Sequence, residues 1–225
     1  MTQPKHYQLI TFDVYTALFD IDSSLTPAVS EMLDLDGLTF VRAWRRKQME
    51  YALISNSLER GRISFELITR RALADTLVRC HVTLSESLQT DLLNAWQILR
   101  PWPEAASVMD SIKARGYTLG VLSNGDMKML ETLIKRLPPV IEHIFSSEQA
   151  GYYKPHPSVY ALPLQTLSLA ADQVLHVAGS ATDALGTKAA GLNCAWSNRN
   201  HEPLIDPNYS VDFDMPDLRQ LLEIL

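Results

Sequence analysis

Short apolar segments separated by helical patterns are the feature of this sequence that most restricts its fold. Each segment is typical of a buried strand. Between them, Pro103–Arg115 opens with proline and ends before Gly116, and Lys128–Arg136 repeats apolar residues at helical spacing. Strands alternating with helices predict an α/β fold built on a mostly parallel, doubly wound sheet. The predicted strands are Tyr7–Phe12, Thr118–Leu122, Ile144–Phe145, Val174–Ala178 and Cys194–Trp196.

One long stretch interrupts this alternation. From about Ile21 to Trp102 the strand signal is weak and helical patterns recur. We expect an all-helical insertion over residues 21–102, with residues 1–20 and 103–225 forming the sheet domain. The insertion follows the carboxyl end of the first strand, where open α/β sheets bind ligands, so it is placed to close over a site. The helical patterns are Phe40–Leu53, Ser64–Val78 and Ser85–Leu99.

Charge and composition limit the partners of the chain. Its 225 residues include 20 Lys and Arg against 26 Asp and Glu, a formal net charge of −6, which disfavours nucleic acid and anionic membranes. No window approaches the roughly 18 apolar residues that a membrane span needs. Cys80 and Cys194 show neither a disulfide framework nor zinc-ligand spacing. We expect a cytoplasmic protein that binds a small molecule, without nucleic-acid or membrane partners.

Polar side chains follow several of the predicted strands. Asp13 comes directly after the first strand, Ser123 and Asn124 follow the second, and Asp183 follows Val174–Ala178. Lys154 lies in a loop restricted by two prolines, where its charge can stabilise a carboxylate. Each residue alone is consistent with turn chemistry. Because the carboxyl ends of parallel strands meet at one edge of a sheet, the set together predicts a site there.

The sequence contains no pattern typical of a metal site or of an organic cofactor site. No nucleotide or dinucleotide motif is present, so we expect no cofactor. The histidines show no metal-ligand spacing, and we assign none of them a role. They are His6, His81, His143, His156, His176 and His201.

In this order, Asp13, Ser123, Lys154 and Asp183 resemble the haloacid dehalogenase superfamily, over almost the whole chain. Tyr15 narrows the resemblance to the type II 2-haloacid dehalogenases, because the superfamily's phosphatases carry a second Asp at that position. The resemblance implies a Rossmann-like core with an inserted helical cap. Further matching segments are Trp44–Tyr51, Leu122–Gly125, Tyr153–Pro157 with Tyr160, and Ala195–Arg199.

The resemblance implies a hydrolase that displaces halide from C2 of a small 2-haloalkanoic acid. Asp13 attacks C2 and forms an ester, and water then attacks the ester carbonyl to release a 2-hydroxy acid. Lys154 favours the charged form of Asp13, and Asp183 orients the water. Arg45, in the helical insertion, meets the leaving halide or the substrate carboxylate. A small anionic substrate also suits the basic bias of this insertion.

Further site residues follow from the same resemblance. Asn124 helps to hold the halide, Ser123 and the loop amides after it bind the substrate carboxylate, and Tyr160 steadies the region of Lys154. Ser180 is a further substrate-binding candidate. The resemblance also implies a homodimer, which composition does not indicate. Candidates for an apolar wall around the alkyl group are Tyr15, Met49 and Phe65.

Three positions depart from the subfamily pattern. The subfamily has Gly-Thr after its Tyr, whereas this chain has Thr16 and Ala17, so a hydroxyl near the nucleophile is absent unless the loop shifts and Thr16 supplies it. The Ser and Asn expected five and three residues before the final acid are Ala178 and Ser180. The Trp expected just before that acid is Thr182, which leaves a wider or more polar pocket. These differences favour either an altered substrate or lost activity.

Three other functions remain open for such a chain. A magnesium-dependent phosphatase needs several oxygen ligands, and Tyr15 and Gly179 stand where such enzymes carry acids. The same nucleophile could attack another carbon electrophile, such as a strained ring bearing a carboxylate. A binding protein on the same scaffold could lack turnover altogether, since fold does not determine function.

Overall fold

The computed structural model describes residues 7–58 and 61–225. The chain divides into two units, which we describe separately. The sheet unit comprises the chain up to Phe19 together with Pro101–Leu225, and the helical unit comprises Asp20–Arg100. Across the described ranges, no helix combines the length and the apolar character that crossing a membrane requires.

The described residues form eight strands. They are β1 (Leu9–Phe12), β2 (Phe19–Asp20), β3 (Arg100–Pro101), β4 (Thr118–Ser123), β5 (His143–Ser146), β6 (Val174–Ala178), β7 (Asn193–Ser197) and β8 (Phe213–Met215). Six of them form one sheet in the order β5-β4-β1-β6-β7-β8, and every neighbouring pair is parallel. The predicted α/β fold with a doubly wound parallel sheet is therefore confirmed. The sequence patterns did not indicate β2, β3 or β8.

β1 lies at the centre of this sheet, between β4 and β6. All four of its residues are buried, as are the five of β6, because helices cover both faces of a parallel sheet. From β1 the chain builds outward to β4 and β5, then returns to the other side for β6, β7 and β8. The carboxyl end of β1 is thus the point where the strand order changes direction, which is the usual ligand position in such sheets.

Four helices form most of the helical unit. They are α1 (Ile21–Met32), α2 (Gly37–Ser57), α3 (Phe65–Arg79) and α4 (Glu86–Ala95). The side chains of Ser64 and Ser85 accept backbone N–H groups at the starts of α3 and α4, which explains where both helices begin. The structure thus contains the helical insertion that the sequence predicts. α4 ends at Ala95 and not at Leu99, because the backbone there tightens into turns bonded three residues apart.

The remaining helices connect the strands of the sheet unit. They are α5 (Ala105–Ala114), α6 (Met127–Ile134), α7 (Ser147–Ala150), α8 (Pro157–Leu167), α9 (Ala181–Ala189) and α10 (Leu221–Ile224). α8 begins with Pro157 in its first turn, where proline costs no hydrogen bond, and the side chain of His156 accepts the N–H of Ser158. These starts place Lys154 just before α8 and Asp183 in the first turn of α9.

Candidate active site

Four polar side chains meet at the carboxyl edge of the sheet. Asp13 directly follows β1, and its backbone N–H donates to the carbonyl of Val177 in β6 at 3.0 Å. Ser123 is the last residue of β4, and its hydroxyl lies 3.3 Å from Asp13 Oδ1. Lys154 Nζ lies 3.4 Å from Asp13 Oδ1 and 3.0 Å from Asp183 Oδ2. The structure therefore brings together residues that are far apart in the sequence.

A single π-helical turn, Val14–Leu18, sets the surroundings of Asp13. Asp13 is the N-cap of this turn, and its Oδ2 accepts the Thr16 backbone N–H at 3.0 Å and the Thr16 hydroxyl at 2.9 Å. Oδ1 accepts the Ser123 hydroxyl. Bonds to charged acceptors are the stronger ones, so these donors orient the carboxylate and stabilise its charge. π-Helical turns are rare and occur frequently at functional sites.

Thr16 supplies the hydroxyl that the resemblance places one residue later. Position 17 is a fully buried alanine with no polar side chain. The wider spacing of the π turn returns the Thr16 side chain to Asp13, where it bonds as the expected hydroxyl would. The loop is therefore shifted so that Thr16 supplies the hydroxyl. Asp13 keeps a hydroxyl donor although positions 16 and 17 differ from the subfamily pattern.

Lys154 lies between two carboxylates. Its side chain is 4% exposed, and its ammonium group contacts both Asp13 and Asp183. A buried charge needs such partners, because an unpaired ammonium in the interior is strongly unfavourable. The backbone N–H of Lys154 donates to Asn124 Oδ1 at 2.8 Å. Asn124 therefore orients the loop that carries the lysine.

Asp183 is held on both oxygens. Oδ1 accepts the Tyr160 hydroxyl at 2.8 Å, and Oδ2 accepts from Lys154 at 3.0 Å. Burial raises the pKa of Asp183, but Lys154 and His176 lower it by more, so its pKa is well below the ordinary value. Burial, reinforced by the charge of Asp183, raises the pKa of Tyr160 well above its usual range. The pair is therefore a carboxylate and a neutral phenol that donates to it.

His176 was missed by the sequence analysis, which gave it no role. It is fully buried in β6, with Nε2 at 3.1 Å from Asp183 Oδ2 and 3.2 Å from Lys154 Nζ. Nδ1 lies 2.9 Å from the hydroxyl of Thr11, its partner in the parallel register of β1 and β6. One signal was available: a histidine inside an otherwise apolar strand must find hydrogen-bond partners among its neighbours.

Tyr15 and Ser180 lie beside this group. Tyr15 is buried in the π turn, and a Cβ built on Gly125 would be 2.8 Å from its hydroxyl, so that hydroxyl lies against the loop after β4. Ser180 is the N-cap of α9 and its Oγ accepts the backbone N–H of Asp183 at 3.3 Å. Ser180 thus orients the start of α9.

In the helical unit, Arg45 belongs to a chain of hydrogen bonds. Its guanidinium donates to Gln48 Oε1, and the fully buried Gln48 donates to Thr69 Oγ1 at 2.6 Å. Thr69 in turn donates to the carbonyl of Phe65 at 2.7 Å. These bonds link α2 to α3 and orient Arg45 on α2. The Phe65 side chain is fully buried, and Met49 is half-buried on α2.

The space around Gly179 shows whether an acid at this position could bind magnesium. Gly179 stands at the position where the resemblance places an acid in the phosphatases. A Cβ at this position would lie 2.2 Å from Thr16 Oγ1 and 2.4 Å from the backbone nitrogen of Ala17, so no side chain fits. Within residues 7–58 and 61–225, no three His, Cys, Asp or Glu side chains are grouped to hold a metal. Position 179 therefore cannot supply the acid that the resemblance places there in the magnesium-dependent phosphatases.

Comparisons with known proteins show which family the chain resembles over its length. A family model described as haloacid dehalogenase-like hydrolase matches residues 14–191. Haloacetate dehalogenase H-2 of Moraxella sp. (strain B) is 28% identical over 223 residues, which cover 98% of this chain and 99% of that protein. The (S)-2-haloacid dehalogenase of Pseudomonas sp. (strain YL) is 29% identical over 217 residues, covering 96% and 93%.

A solved structure shows the same fold. The L-2-haloacid dehalogenase of Xanthobacter autotrophicus with chloropropionic acid covalently bound has a TM-score of 0.85 and 26% identity, and the match covers 97% of this chain and 98% of that one. The family match spans most of this chain, from the start of the π turn to just past α9, and includes Lys154 and Asp183. This chain therefore belongs to the haloacid dehalogenase-like hydrolase family.

Proposed function

We propose that this protein is a 2-haloacid dehalogenase, which replaces the halogen at C2 of a small 2-haloalkanoic acid by a hydroxyl group. The observation that carries the proposal is the Asp13 carboxylate at the central strand end, bonded to Thr16 through one oxygen and to Ser123 and Lys154 through the other. The names of the two sequence relatives support the substrate class. The acid covalently bound in the Xanthobacter autotrophicus structure supports an ester intermediate.

The first step is a displacement at carbon. A carboxylate oxygen of Asp13 forms a bond to C2 while the carbon–halogen bond breaks, and the halide leaves with the bonding electrons. Lys154 Nζ, 3.4 Å from Asp13 Oδ1, places a positive charge beside the nucleophile before the attack. The product of this step is an ester between Asp13 and C2 of the acid, together with a free halide ion.

The second step is hydrolysis of that ester. Asp183 is ionised and accepts a proton from water as the water oxygen attacks the carboxyl carbon of Asp13. The bond from this carbon to the ester oxygen then breaks, and the departing alkoxide takes up a proton to become the 2-hydroxy acid. Asp13 is regenerated with one oxygen from water. Halide, one proton and the hydroxy acid are the products overall.

The other site residues are proposed to bind the substrate. Arg45 receives the departing halide or the substrate carboxylate, and Gln48 holds its guanidinium in place. Ser123 and the loop amides after it bind the carboxylate. Asn124 acts on the halide and, through the Lys154 backbone, on the lysine loop. The remaining substrate-binding residues of the proposal are Tyr15, Met49, Phe65, Tyr160 and Ser180.

No metal or organic cofactor takes part in the proposed reaction. Gly179 leaves no room for the extra acid that a magnesium site of this superfamily would need. Lys154 supplies the positive charge beside both carboxylates. Chelation of divalent metal is therefore expected to leave the rate unchanged.

We also propose that the protein is a cytoplasmic homodimer. Cys80 is exposed and Cys194 is buried, and both are free thiols, as is usual in a reducing compartment. Large apolar side chains are exposed near the end of α2, at Leu53, Ile54 and Leu58. Such a surface is suited to cover the same surface of a second copy.

Halide release tests the proposed function. The purified protein is incubated with L-2-chloropropionate, D-2-chloropropionate or chloroacetate in the presence of EDTA, and halide is measured over time. We expect release from at least one of these acids and none with Asp13→Asn, which has nearly the same shape but a much weaker nucleophile. A folded parent protein that releases halide from none of the three would contradict the proposal. Release that stops when EDTA is added would contradict the metal-independent mechanism.

A further inference from the structure

The buried imidazole of His176 contacts two residues of the proposed mechanism, Lys154 and Asp183, but that mechanism gives His176 no role. His176 Nε2 is 3.1 Å from Asp183 Oδ2 and 3.2 Å from Lys154 Nζ, and Nδ1 is 2.9 Å from Thr11 Oγ1. The side chain is fully buried. A buried polar ring in such a position is retained only if its nitrogens are bonded, so each of these contacts bears on its protonation.

The imidazole faces charged and titratable groups on several elements. Lys154 approaches it from the loop before α8, Asp183 from α9, and the ring of Tyr160 from α8 at a centroid distance of 6.0 Å. Asp13 acts on it from beyond β1, and Cys194 is its register partner on β7. Burial, reinforced by Lys154, lowers the pKa of His176 against the opposing effect of the two carboxylates. The ring is therefore neutral, with one donor nitrogen and one acceptor nitrogen.

Thr11 decides which nitrogen carries the proton. A hydroxyl can donate one hydrogen bond, and His176 Nδ1 is the partner that the described part of the chain offers to the buried Thr11 hydroxyl. If Nδ1 carried the proton, the Thr11 hydroxyl hydrogen would be left buried without an acceptor, which is unfavourable. If Thr11 donates to Nδ1, the proton lies on Nε2 and points to Asp183 Oδ2. The second arrangement leaves no donor of this pair unpaired. Lys154 then donates to the carboxylates of Asp13 and Asp183 and contacts Nε2 without a hydrogen bond to it.

We propose that His176 is a positioning residue for Asp183, donating from Nε2 to its carboxylate while Thr11 fixes the tautomer. With this bond, Asp183 receives donors from Tyr160 on Oδ1 and from Lys154 and His176 on Oδ2. Three donors on two oxygens fix the plane of the carboxylate that accepts the proton from water. Ala178, on the same face of β6, has no polar side chain that could do so.

This inference rests on the proposed function and predicts which of the two chemical steps becomes slow when the His176 bond is lost. Asp183 acts in ester hydrolysis, whereas halide leaves in the earlier step. Loss of the His176 bond is therefore expected to slow the second step more than the first. The aspartyl ester then accumulates, which a general loss of folding or substrate binding does not produce.

The test compares three variants with the parent protein. His176→Leu removes both hydrogen bonds at similar size, His176→Gln keeps a side-chain donor, and Thr11→Val keeps the shape of Thr11 without its hydroxyl. Halide is followed in the first turnover and at steady state, and intact-protein mass reports the ester on Asp13. The long-range nitrogen-proton NMR spectrum of the imidazole reports the tautomer in the resting protein.

For His176→Leu we expect one rapid equivalent of halide, an accumulated ester, and a steady-state kcat reduced about tenfold or more, as for loss of a hydrogen bond to a charged group. His176→Gln should recover most of kcat, Thr11→Val should fall between the two, and KM should change little. The NMR spectrum of the parent should show the proton on Nε2.

Three results overturn the inference. A proton on Nδ1 in the parent contradicts the tautomer whatever the activity. Full steady-state turnover by His176→Leu shows that the bond is not needed, and an equal fall of both steps with no recovery in His176→Gln shows a structural role only. A parent protein that releases no halide instead overturns the proposed function, and this inference with it, so the two failures are distinguishable.

Discussion

Asp13 performs the displacement in the proposed reaction, and its two carboxylate oxygens are held by different donors. Thr16 donates twice to Oδ2, through its backbone N–H and its hydroxyl, while Ser123 and Lys154 approach Oδ1. Bonds on both oxygens fix the plane of the carboxylate, and reactions of bound groups depend strongly on such alignment. The orientation of the nucleophile thus depends on a threonine one position earlier than the resemblance indicates.

Thr16→Val is expected to lower kcat/KM by about 10- to 100-fold, because a hydrogen bond to a charged group contributes roughly 1.5–3 kcal/mol. The backbone N–H bond to Asp13 is kept in this variant, so the effect reports the hydroxyl alone. Steady-state halide release measures it. Thr16→Ser, the matched control, retains the hydroxyl and should stay close to the parent. Equal activity of the Val and Ser variants would show that the hydroxyl is dispensable.

His176 predicts a pH dependence of stability. Its pKa is lowered in the folded protein from the ordinary value of 6.5, chiefly by burial and by Lys154. Below about pH 6.5 the unfolded state therefore binds more protons than the folded state, and stability falls as pH falls, by up to about 1.4 kcal/mol per pH unit. Asp183, whose pKa is also lowered, loses its contribution only at more acidic pH, near and below its ordinary value.

Urea unfolding between neutral pH and pH 5 measures this contribution. His176→Gln should show a smaller loss of unfolding free energy over this range than the parent, because its side chain does not titrate. His201→Asn, a change at an exposed histidine, is the control and should keep the slope of the parent. Identical slopes for the parent and His176→Gln would contradict a lowered pKa at this residue.

At the residue scale, the sequence reveals some site residues and hides others. Asp13 and Asp183 each follow a strand, where parallel sheets bind ligands, so position alone makes them candidates. His176 has the same apolar neighbours as any core residue of β6, and its partner Thr11 lies in a strand far away in the sequence. The register of β1 against β6 sets that contact. The spacing of residues in the sequence does not show which residues of β1 and β6 lie side by side.

Among the elements, the π turn lies directly against the end of β6 at Gly179. A Cβ on Gly179 would lie 2.4 Å from the Ala17 nitrogen and 2.7 Å from the Thr16 carbonyl carbon, and backbone atoms cannot move aside as a flexible side chain can. The absence of a side chain at position 179 therefore lets the turn that carries Thr16 lie against β6. This contact connects the glycine to the orientation of Asp13.

Gly179→Ala is expected to lower the free energy of unfolding by about 1–3 kcal/mol, as for overpacking in a core, and to reduce halide release by displacing Thr16. Gly191→Ala is the comparison. Gly191 has φ +82° and open space around its Cβ position, so that variant should lose stability through backbone strain while keeping activity. Chemical denaturation and halide release measure both effects. A Gly179→Ala variant with the activity of the parent would show that the turn tolerates displacement.

The helices and strands were predicted unequally well. Strands β1, β4 and β6 are apolar runs, and the N-cap serines of α3 and α4 mark helix starts, so these elements are readable from local patterns. β8 has only three residues and is buried only at Met215, which leaves no apolar run to detect. The π turn packs its backbone against Gly179, a contact between distant parts of the chain. It has no pattern of its own in the sequence.

For the whole molecule, the alternation of strands and helices was enough to predict a doubly wound sheet with a helical insertion. The strand order that places β1 between β4 and β6 depends on where each connection crosses, which local patterns do not contain. The bounds of the two units, and the side of the sheet that each strand joins, likewise come from contacts across the chain.

The proposed homodimer makes a prediction at this scale. Ile54 and Leu58 are 42% and 57% exposed in the helical unit, and an interface there would bury them. Ile54→Lys with Leu58→Lys should convert a dimer to a monomer, because a charge in a buried interface is strongly unfavourable. Ile205→Lys, at an exposed apolar residue of the sheet unit, should leave the dimer intact. Sedimentation equilibrium measures the oligomeric state of each protein. A monomeric parent would contradict the homodimer.

The origin of the product oxygen tests the central claim most directly. A single turnover is run in oxygen-labelled water with the protein in excess over L-2-chloropropionate, and the hydroxy acid and the peptide containing Asp13 are analysed by mass spectrometry. If Asp13 forms the ester, the product carries unlabelled oxygen from Asp13 and the label appears in the Asp13 carboxylate. A labelled product with an unlabelled Asp13 would mean that water attacks C2 directly, and would contradict the role assigned to Asp13.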